Sequence, residues 1–277
     1  MCKTTIRNYS YFFILLTFIC CSPTKNITED NSTPSQPITP LYKMIELDKL
    51  GQLYAIDKKN NITLFKGDKI TKWYEYSNNR LGNISTVDVS NPQKILVFYR
   101  DFQTIVLLDN TLTEVKRLNL LDMGHTDIHA ACSSIDNGIW IADMDGAQLL
   151  KISQNGTLVI EGYNFRDENW GSFSTLKLRE KGGSVFMGTD MPAVLQFDNF
   201  GAFIFRHDIG WQNEFTISNE GEIYYYDQTG ISAYNTKLKA RYQLEGMIES
   251  FEGVSDFGIK GLEYYLLREG EVVMGKM

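Results

Sequence analysis

Apolar residues in this chain come in short alternating runs broken by polar turns, and the pattern returns about every forty residues. It shows as ILVFYRDFQTIVLLD from Ile95, IWIADMDGAQLLKIS from Ile139, VFMGTDMPAVLQFD from Val185 and IYYYDQTGISAYN from Ile223. Each copy reads strand, polar turn, strand, because side chains alternate between the two faces of a pleated strand. The copy from His129 to Phe165 is the most complete. It carries Asp136-Asn137-Gly138, Asp145-Gly146 and Asn155-Gly156 as tight-turn signals, so it reads as four strands joined by three turns.

The second strand of each unit starts near residues 53, 95, 139, 185, 223 and 263, with spacings of 42, 44, 46, 38 and 40. So narrow a spread predicts a ring of small sheets: an all-β, six-bladed β-propeller with four antiparallel strands per blade. A two-sheet sandwich would be equally strand-rich but has no need of the period. The first unit, about Met44 to Tyr76, shows three strands after Gly51. The sixth, from about Val254, supplies three strands before the sequence stops. The segment near Leu41 to Leu47 is therefore expected to provide the missing outermost strand of the sixth blade. Strands from both termini would then close the ring and leave no free edge. NFRDENWGSFSTL, between units three and four, reads as a loop crossing one face of the disc, and no long helical period appears.

Ahead of the repeats lies a processing segment. Lys3 and Arg7 give a positive start, and Tyr11 to Ile19 form an apolar run too short to span a bilayer as a mature helix. Cys20 and Cys21 follow it, then SPTKNITEDNSTPSQPITP. This resembles a bacterial lipoprotein signal of the aromatic-rich kind common in Bacteroidetes. The resemblance implies a signal peptide over residues 1–20 and a lipidated (palmitate-type acyl) cysteine at Cys21. Residues 22–40 hold four prolines with many Ser, Thr and Asn, a composition that builds no core and reads as a tether. The propeller domain then occupies residues 41–277. An acyl anchor implies outer-membrane attachment within the cell envelope. Glu29 and Asp30 come too late for the acidic export patch of surface lipoproteins, so the periplasmic face is expected.

Charge narrows the partners. The whole chain carries −7, and losing the leader takes it to about −9. No basic cluster stands out, which excludes nucleic acid as an expected partner, since phosphate backbones reward clustered Lys and Arg. With Cys21 acylated, Cys132 in AACSSI is the one other mature cysteine, and it reads as a small buried hydrophobe.

The polar residues near the start of successive units are Glu46, Asp88, His129, Lys177, Glu214 and Asp256. All but Lys177 are candidate channel-mouth ligand groups, given the right register. His125 and His129 lie four apart in GHTDIH, but on a loop entering a strand rather than on one helical face. DMDGA, Asp143 to Ala147, lacks the closing glutamate of a calcium loop and reads as a hairpin turn. No nucleophile, phosphate-loop or dinucleotide motif is present in the sequence. No metal and no cofactor are therefore expected. Among 35 aromatic residues, Trp73, Tyr76, Trp170 and Trp211 fall in turns and connections and are candidate binding-surface aromatics.

In blade rhythm the chain is similar to six-bladed NHL-like and gluconolactonase-like propellers over residues 44–277. The gluconolactonase-like likeness would imply a metal in the channel, and it defines an alternative reading as a metal-dependent lactonase or hydrolase. A second alternative is a carbohydrate-binding lipoprotein. The expected function is a non-catalytic, membrane-anchored propeller that binds protein as a scaffold in an envelope assembly. Propeller lipoproteins of outer-membrane insertion machinery offer an analogy of fold and anchor only. The central channel discriminates these readings: three or four convergent carboxylate or imidazole groups favour the enzyme, a channel plugged by apolar side chains with an apolar patch on the rim favours the scaffold, and a shallow groove with two or more exposed aromatic rings beside amide or carboxylate groups favours the carbohydrate binder.

Overall fold

A computed structural model describes residues 41–66, 71–167, 170, 173–210, 214–227, 230–244 and 251–277. The leader, Cys21 with its tether, and Trp211 lie outside the described residues. The described chain forms six antiparallel sheets, each built from strands consecutive in sequence. Blade one holds β1 (Tyr42–Leu47), β2 (Leu53–Asp57), β3 (Asn61–Lys66) and β4 (Thr71–Ser77). Blade two holds β5 (Thr86–Asp88), β6 (Ile95–Tyr99), β7 (Thr104–Leu108) and β8 (Glu114–Asn119). Blade three holds β9 (Ile128–Ser133), β10 (Ile139–Asp143), β11 (Gln148–Ile152) and β12 (Leu158–Asn164). Blade four holds β13 (Thr175–Lys181), β14 (Ser184–Thr189), β15 (Ala193–Asp198) and β16 (Phe203–Asp208). Blade five holds β17 (Phe215–Ile217), β18 (Ile223–Asp227), β19 (Gly230–Asn235) and β20 (Ala240–Gln243). Blade six holds β21 (Val254–Lys260), β22 (Glu263–Arg268) and β23 (Glu271–Lys276). The fold is the expected six-bladed β-propeller.

In blades two to five a polar residue recurs at one position. It sits at the end of the third strand and closes the turn into the fourth. Asp109 Oδ1 accepts the N–H groups of Thr111 (2.8 Å) and Thr113 (2.9 Å). Asp198 Oδ1 does the same for Phe200 (2.9 Å) and Ala202 (2.8 Å). Ser153 Oγ accepts from Asn155 and Thr157, and Asn235 Oδ1 from Lys237 and Leu238. These short side chains mimic a backbone turn, which is why Asp, Asn and Ser recur there.

Apolar strand faces pack between neighbouring blades. Ile62, Leu64, Val87 and Val97 fill the junction of blades one and two, and Leu96, Ile105, Ala131 and Ile141 fill that of two and three. Trp140, Leu149, Leu178 and Phe197 join blades three and four. Phe186, Val194, Phe215 and Tyr225 join four and five, and Tyr226, Ile231, Phe257 and Leu266 join five and six. Ile45, Leu53 and Ala55 then meet Tyr265 and Leu267, which completes the ring. The connection after β12 does not simply cross a face. Phe165, Trp170 and Phe173 turn inward against the core between blades three and four, because three aromatic rings gain most by burial there.

Strands from both ends of the domain meet at this closure, but not as the sequence suggested. Tyr42–Leu47 is the innermost strand of blade one, paired with β2, and does not complete blade six. Blade six has three strands among the described residues. The seam is held by packing and by hydrogen bonds, among them one from Lys260 Nζ to Leu50 O at 2.6 Å. Ile45 N donates to Asp256 Oδ2 at 2.7 Å, and Tyr42 N donates to Gly270 O at 2.8 Å.

His207 on β16 is 1% exposed, and its Nε2 donates to Gln196 Oε1 at 2.9 Å. Burial, assisted by the Lys239 charge, pushes its pKa down to about 4. The fold therefore holds it neutral while the unfolded chain protonates near an ordinary value of about 6.5. Its contribution is full above that value and is lost as pH falls towards 4, about 3 kcal/mol in all. His207→Phe should flatten this part of the profile. Urea unfolding of both proteins at pH 7 and pH 4.5 checks it, and equal losses on acidification would refute the assignment.

Candidate functional site: a charged channel and its mouth

Six inner strands, β1, β5, β9, β13, β17 and β21, surround the axis. The C-terminal ends of all but β9 gather around a cavity of about 280 Å³. Alternation puts every second residue of an inner strand towards the channel. On β13 these include Lys177 and Arg179, so blade four presents two cations. The facing positions of other blades present carboxylates. Lys177 Nζ lies 2.5 Å from Glu214 Oε2 and 3.1 Å from Glu46 Oε1. Arg179 Nη2 donates to Glu46 Oε1 and, at 3.0 Å, to Val87 O, while Nη1 donates to Leu178 O at 2.8 Å.

The network is buried, and burial sets its electrostatics. Desolvation alone would depress the Lys177 ammonium, but the carboxylates of Glu214 and Glu46 outweigh it and hold its pKa above the usual lysine value. Arg179 is raised in the same way, with Glu46 and Asp88 overcoming its burial. Asp256, 2% exposed, is pushed well up by burial and by the nearby Glu214 charge.

Two of the carboxylates staple blades. Asp88 Oδ2 accepts the Ser133 N–H at 2.6 Å, so blade two grips blade three. Asp256 Oδ2 accepts the Ile45 N–H, so blade six grips blade one. Each reaches from one inner strand to the next at a buried position, where an unmet N–H would cost about 1–3 kcal/mol.

Around the network, the mouth is lined by groups from five blades. Its floor carboxylates are engaged by the protein. Asp48 accepts from Leu50 N, Gln52 N and Tyr54 OH, and Glu180 accepts from Trp140 Nε1 at 2.6 Å. Lys49, Ser90, Lys181, Thr216, Asn219 and Glu220 stand around the rim, with Tyr224 as its aromatic member.

The structure therefore brings Glu46, Glu214 and Asp256 into one network and sets Glu46 and Asp88 on the cavity wall. His129 belongs elsewhere: it touches Asp127 and Arg100 at the N-terminal end of β9. Asp143 bonds His125 at 3.1 Å and accepts Gly146 N–H at 2.9 Å, as a turn residue does. Among the described residues no three His, Cys, Asp or Glu side chains are grouped to hold a metal ion. Cys132 is a free, buried cysteine whose thiol pKa is pushed up by burial.

The aromatic candidates are not brought together. Trp73 is 43% exposed on the outer strand of blade one, with Lys66 Nζ 3.8 Å above its ring. Tyr76 is buried between blades one and two, and so is part of the core rather than of a surface. Trp170 packs on Phe203, with ring centres 5.1 Å apart. Arg179 and Lys181 were not singled out from sequence. The signal was there in KLREK, where cations at alternate positions of a strand share one face.

No family model matches the chain, and no curated protein does. Solved structures resemble it in fold. A streptogramin B lyase is 12% identical, with 87% of this chain and 85% of that chain covered and a TM-score of 0.59. Virginiamycin B lyase from Staphylococcus aureus is 12% identical, with coverage of 86% and 85% and a TM-score of 0.58. A protein of unknown function from Bacteroides caccae is 12% identical, with coverage of 74% and 78% and a TM-score of 0.50. At these identities the likeness is one of fold: this chain shares the β-propeller architecture with proteins that include lyases.

Proposed function

We propose that this protein binds a small polyhydroxylated ligand, of the carbohydrate class, in the channel mouth at the C-terminal ends of its inner strands. The observation that carries this reading is the convergence of charged and amide groups from five blades on one cavity. A channel filled by ion pairs, rather than plugged by apolar side chains, favours a ligand site over a purely structural disc. Neutral sugars present hydroxyls that both donate and accept, and the rim offers matching donors (Lys49, Lys181) and acceptors (Glu220) beside hydroxyls and an amide. A volume of about 280 Å³ lies at the low end of ligand pockets, which suits one or two sugar rings.

Binding without chemistry is the better reading, because the floor carboxylates already serve protein donors. The sequence over residues 1–40 supports a lipid anchor at Cys21 and attachment at the outer membrane facing the periplasm. Such an anchor suits a receptor working beside other envelope proteins, with capture of the sugar as its task.

Calorimetric titration with neutral mono- and disaccharides tests the site. Lys181→Ala combined with Asn219→Ala should weaken binding about tenfold or more at an unchanged melting temperature. An unchanged affinity in that variant, or the absence of any sugar that binds at millimolar concentration, would sink the reading.

A further inference from the structure

The end of the propeller opposite the cavity holds a second polar cluster. Arg100, in the turn after β6, brings blade two to blade three there. His129 is 9% exposed, and its Nε2 faces two partners at once. Arg100 Nη2 contacts it, and Asp127 Oδ1 lies 3.1 Å from it. Arg100 also reaches Asp127 at 3.8 Å. The Nδ1 atom is buried and has no hydrogen-bond partner among the described residues. Behind the cluster Gln103 bridges the same two blades: its Nε2 donates to Ile128 O at 3.0 Å, and its Oε1 accepts Ile128 N–H at 2.8 Å.

One nitrogen cannot serve both partners in one state. An arginine N–H can bond Nε2 only through the lone pair, which requires a neutral ring with its hydrogen on Nδ1. A carboxylate can bond Nε2 only when that atom carries a hydrogen. From the neutral tautomer with its hydrogen on Nδ1, protonation adds a hydrogen at Nε2 and turns that bond from Arg100, across the blade junction, to Asp127, within blade three. It also sets an imidazolium against a guanidinium. We infer that Arg100, His129 and Asp127 form a proton-operated latch between blades two and three, tight when His129 is neutral and loosened when it is charged.

The surroundings set the direction of the switch. Burial and the Arg100 charge lower the His129 pKa, while Asp127 and, from the turn between β14 and β15, Asp190 oppose them. The net shift is downward, so the latch is tight at neutral pH and loosens on the acid side of an ordinary imidazole. Arg100 and Asp127 are both partly exposed, so protons reach the cluster from solvent.

Histidine-selective NMR titration of the full chain tests this, with His125→Gln and His207→Gln assigning the signals. Arg100→Gln should raise the His129 midpoint by about one pH unit, and Asp127→Asn should lower it. Hydrogen exchange at Gln103 and Ile128, corrected for the intrinsic pH dependence, should rise on acidification in the native protein. It should be high at every pH in Arg100→Gln. A His129 midpoint that neither substitution moves overturns the latch, as does junction exchange that does not follow that midpoint. A merely structural role for Arg100 would lower stability and leave the midpoint in place.

Discussion

Lys177→Met is expected to lower the free energy of unfolding by about 3–5 kcal/mol at neutral pH, the range for breaking a buried ion pair from one side. The ammonium is 9% exposed and lies against Glu46 and Glu214. Methionine fills much of the same space, so the loss comes mainly from two carboxylates left in a poorly solvated channel. Glu46 retains Arg179, whereas Glu214 loses the cation it touches at 2.5 Å. A carboxylate left there without its cation is desolvated with no compensating charge. Adding Glu214→Leu should recover part of the loss, since an apolar pair of similar size needs no counter-charge. Urea unfolding at neutral pH measures all three proteins. A deficit below about 1 kcal/mol would mean that the network does not hold the blades.

Gly201→Ala should cost about 2–5 kcal/mol. Two effects add at this turn between β15 and β16. Gly201 has φ of +80°, a conformation that costs an L residue about 1–2 kcal/mol. An added Cβ would also lie 2.8 Å from Gly162 Cα, and that backbone cannot step aside, since Tyr163 N donates to Gly201 O at 2.9 Å. Overpacking of this kind adds about 1–3 kcal/mol. Gly221→Ala is the control: its φ is +83°, but nothing lies within 4 Å of the new Cβ, so only the conformational part should appear. Equal losses in the two variants would show that the contact between blades three and four is not tight.

Much of the fold was legible because second and third strands are buried on both faces. LYAID, ILVFY and IWIAD are apolar runs bounded by turn residues, and their spacing carries the blade count. Inner strands are harder to read. β5 and β17 have three residues each, and alternate side chains face a polar channel, so no apolar run marks them. For that reason β1, with Glu46 at its channel position, looked like an addition to the last blade rather than the start of the first. The site divides in the same way. Glu46, Glu214 and Asp256 could be picked out as polar positions at unit starts. Their pairing could not, because Arg179 meets Glu46 across 133 residues and no local pattern encodes it. The role of Lys177 follows from the same geometry: a cation becomes a keystone only when carboxylates from other blades are seen to face it.

The seam between blades six and one has a consequence for chain entropy. Its tie from Ile45 to Asp256 closes a loop of 211 residues, whereas neighbouring blades elsewhere join over about forty. Closure entropy grows only with the logarithm of loop length, about 0.6 kcal/mol per doubling, so the seam costs only about 1.5 kcal/mol more than any other junction. One buried aliphatic side chain offsets that. Among the described residues the ring is thus sealed by apolar contact and a few polar ties, with no strand exchanged between its first and last sheets. The long separation is felt in time rather than in stability, since contacts distant in sequence slow folding.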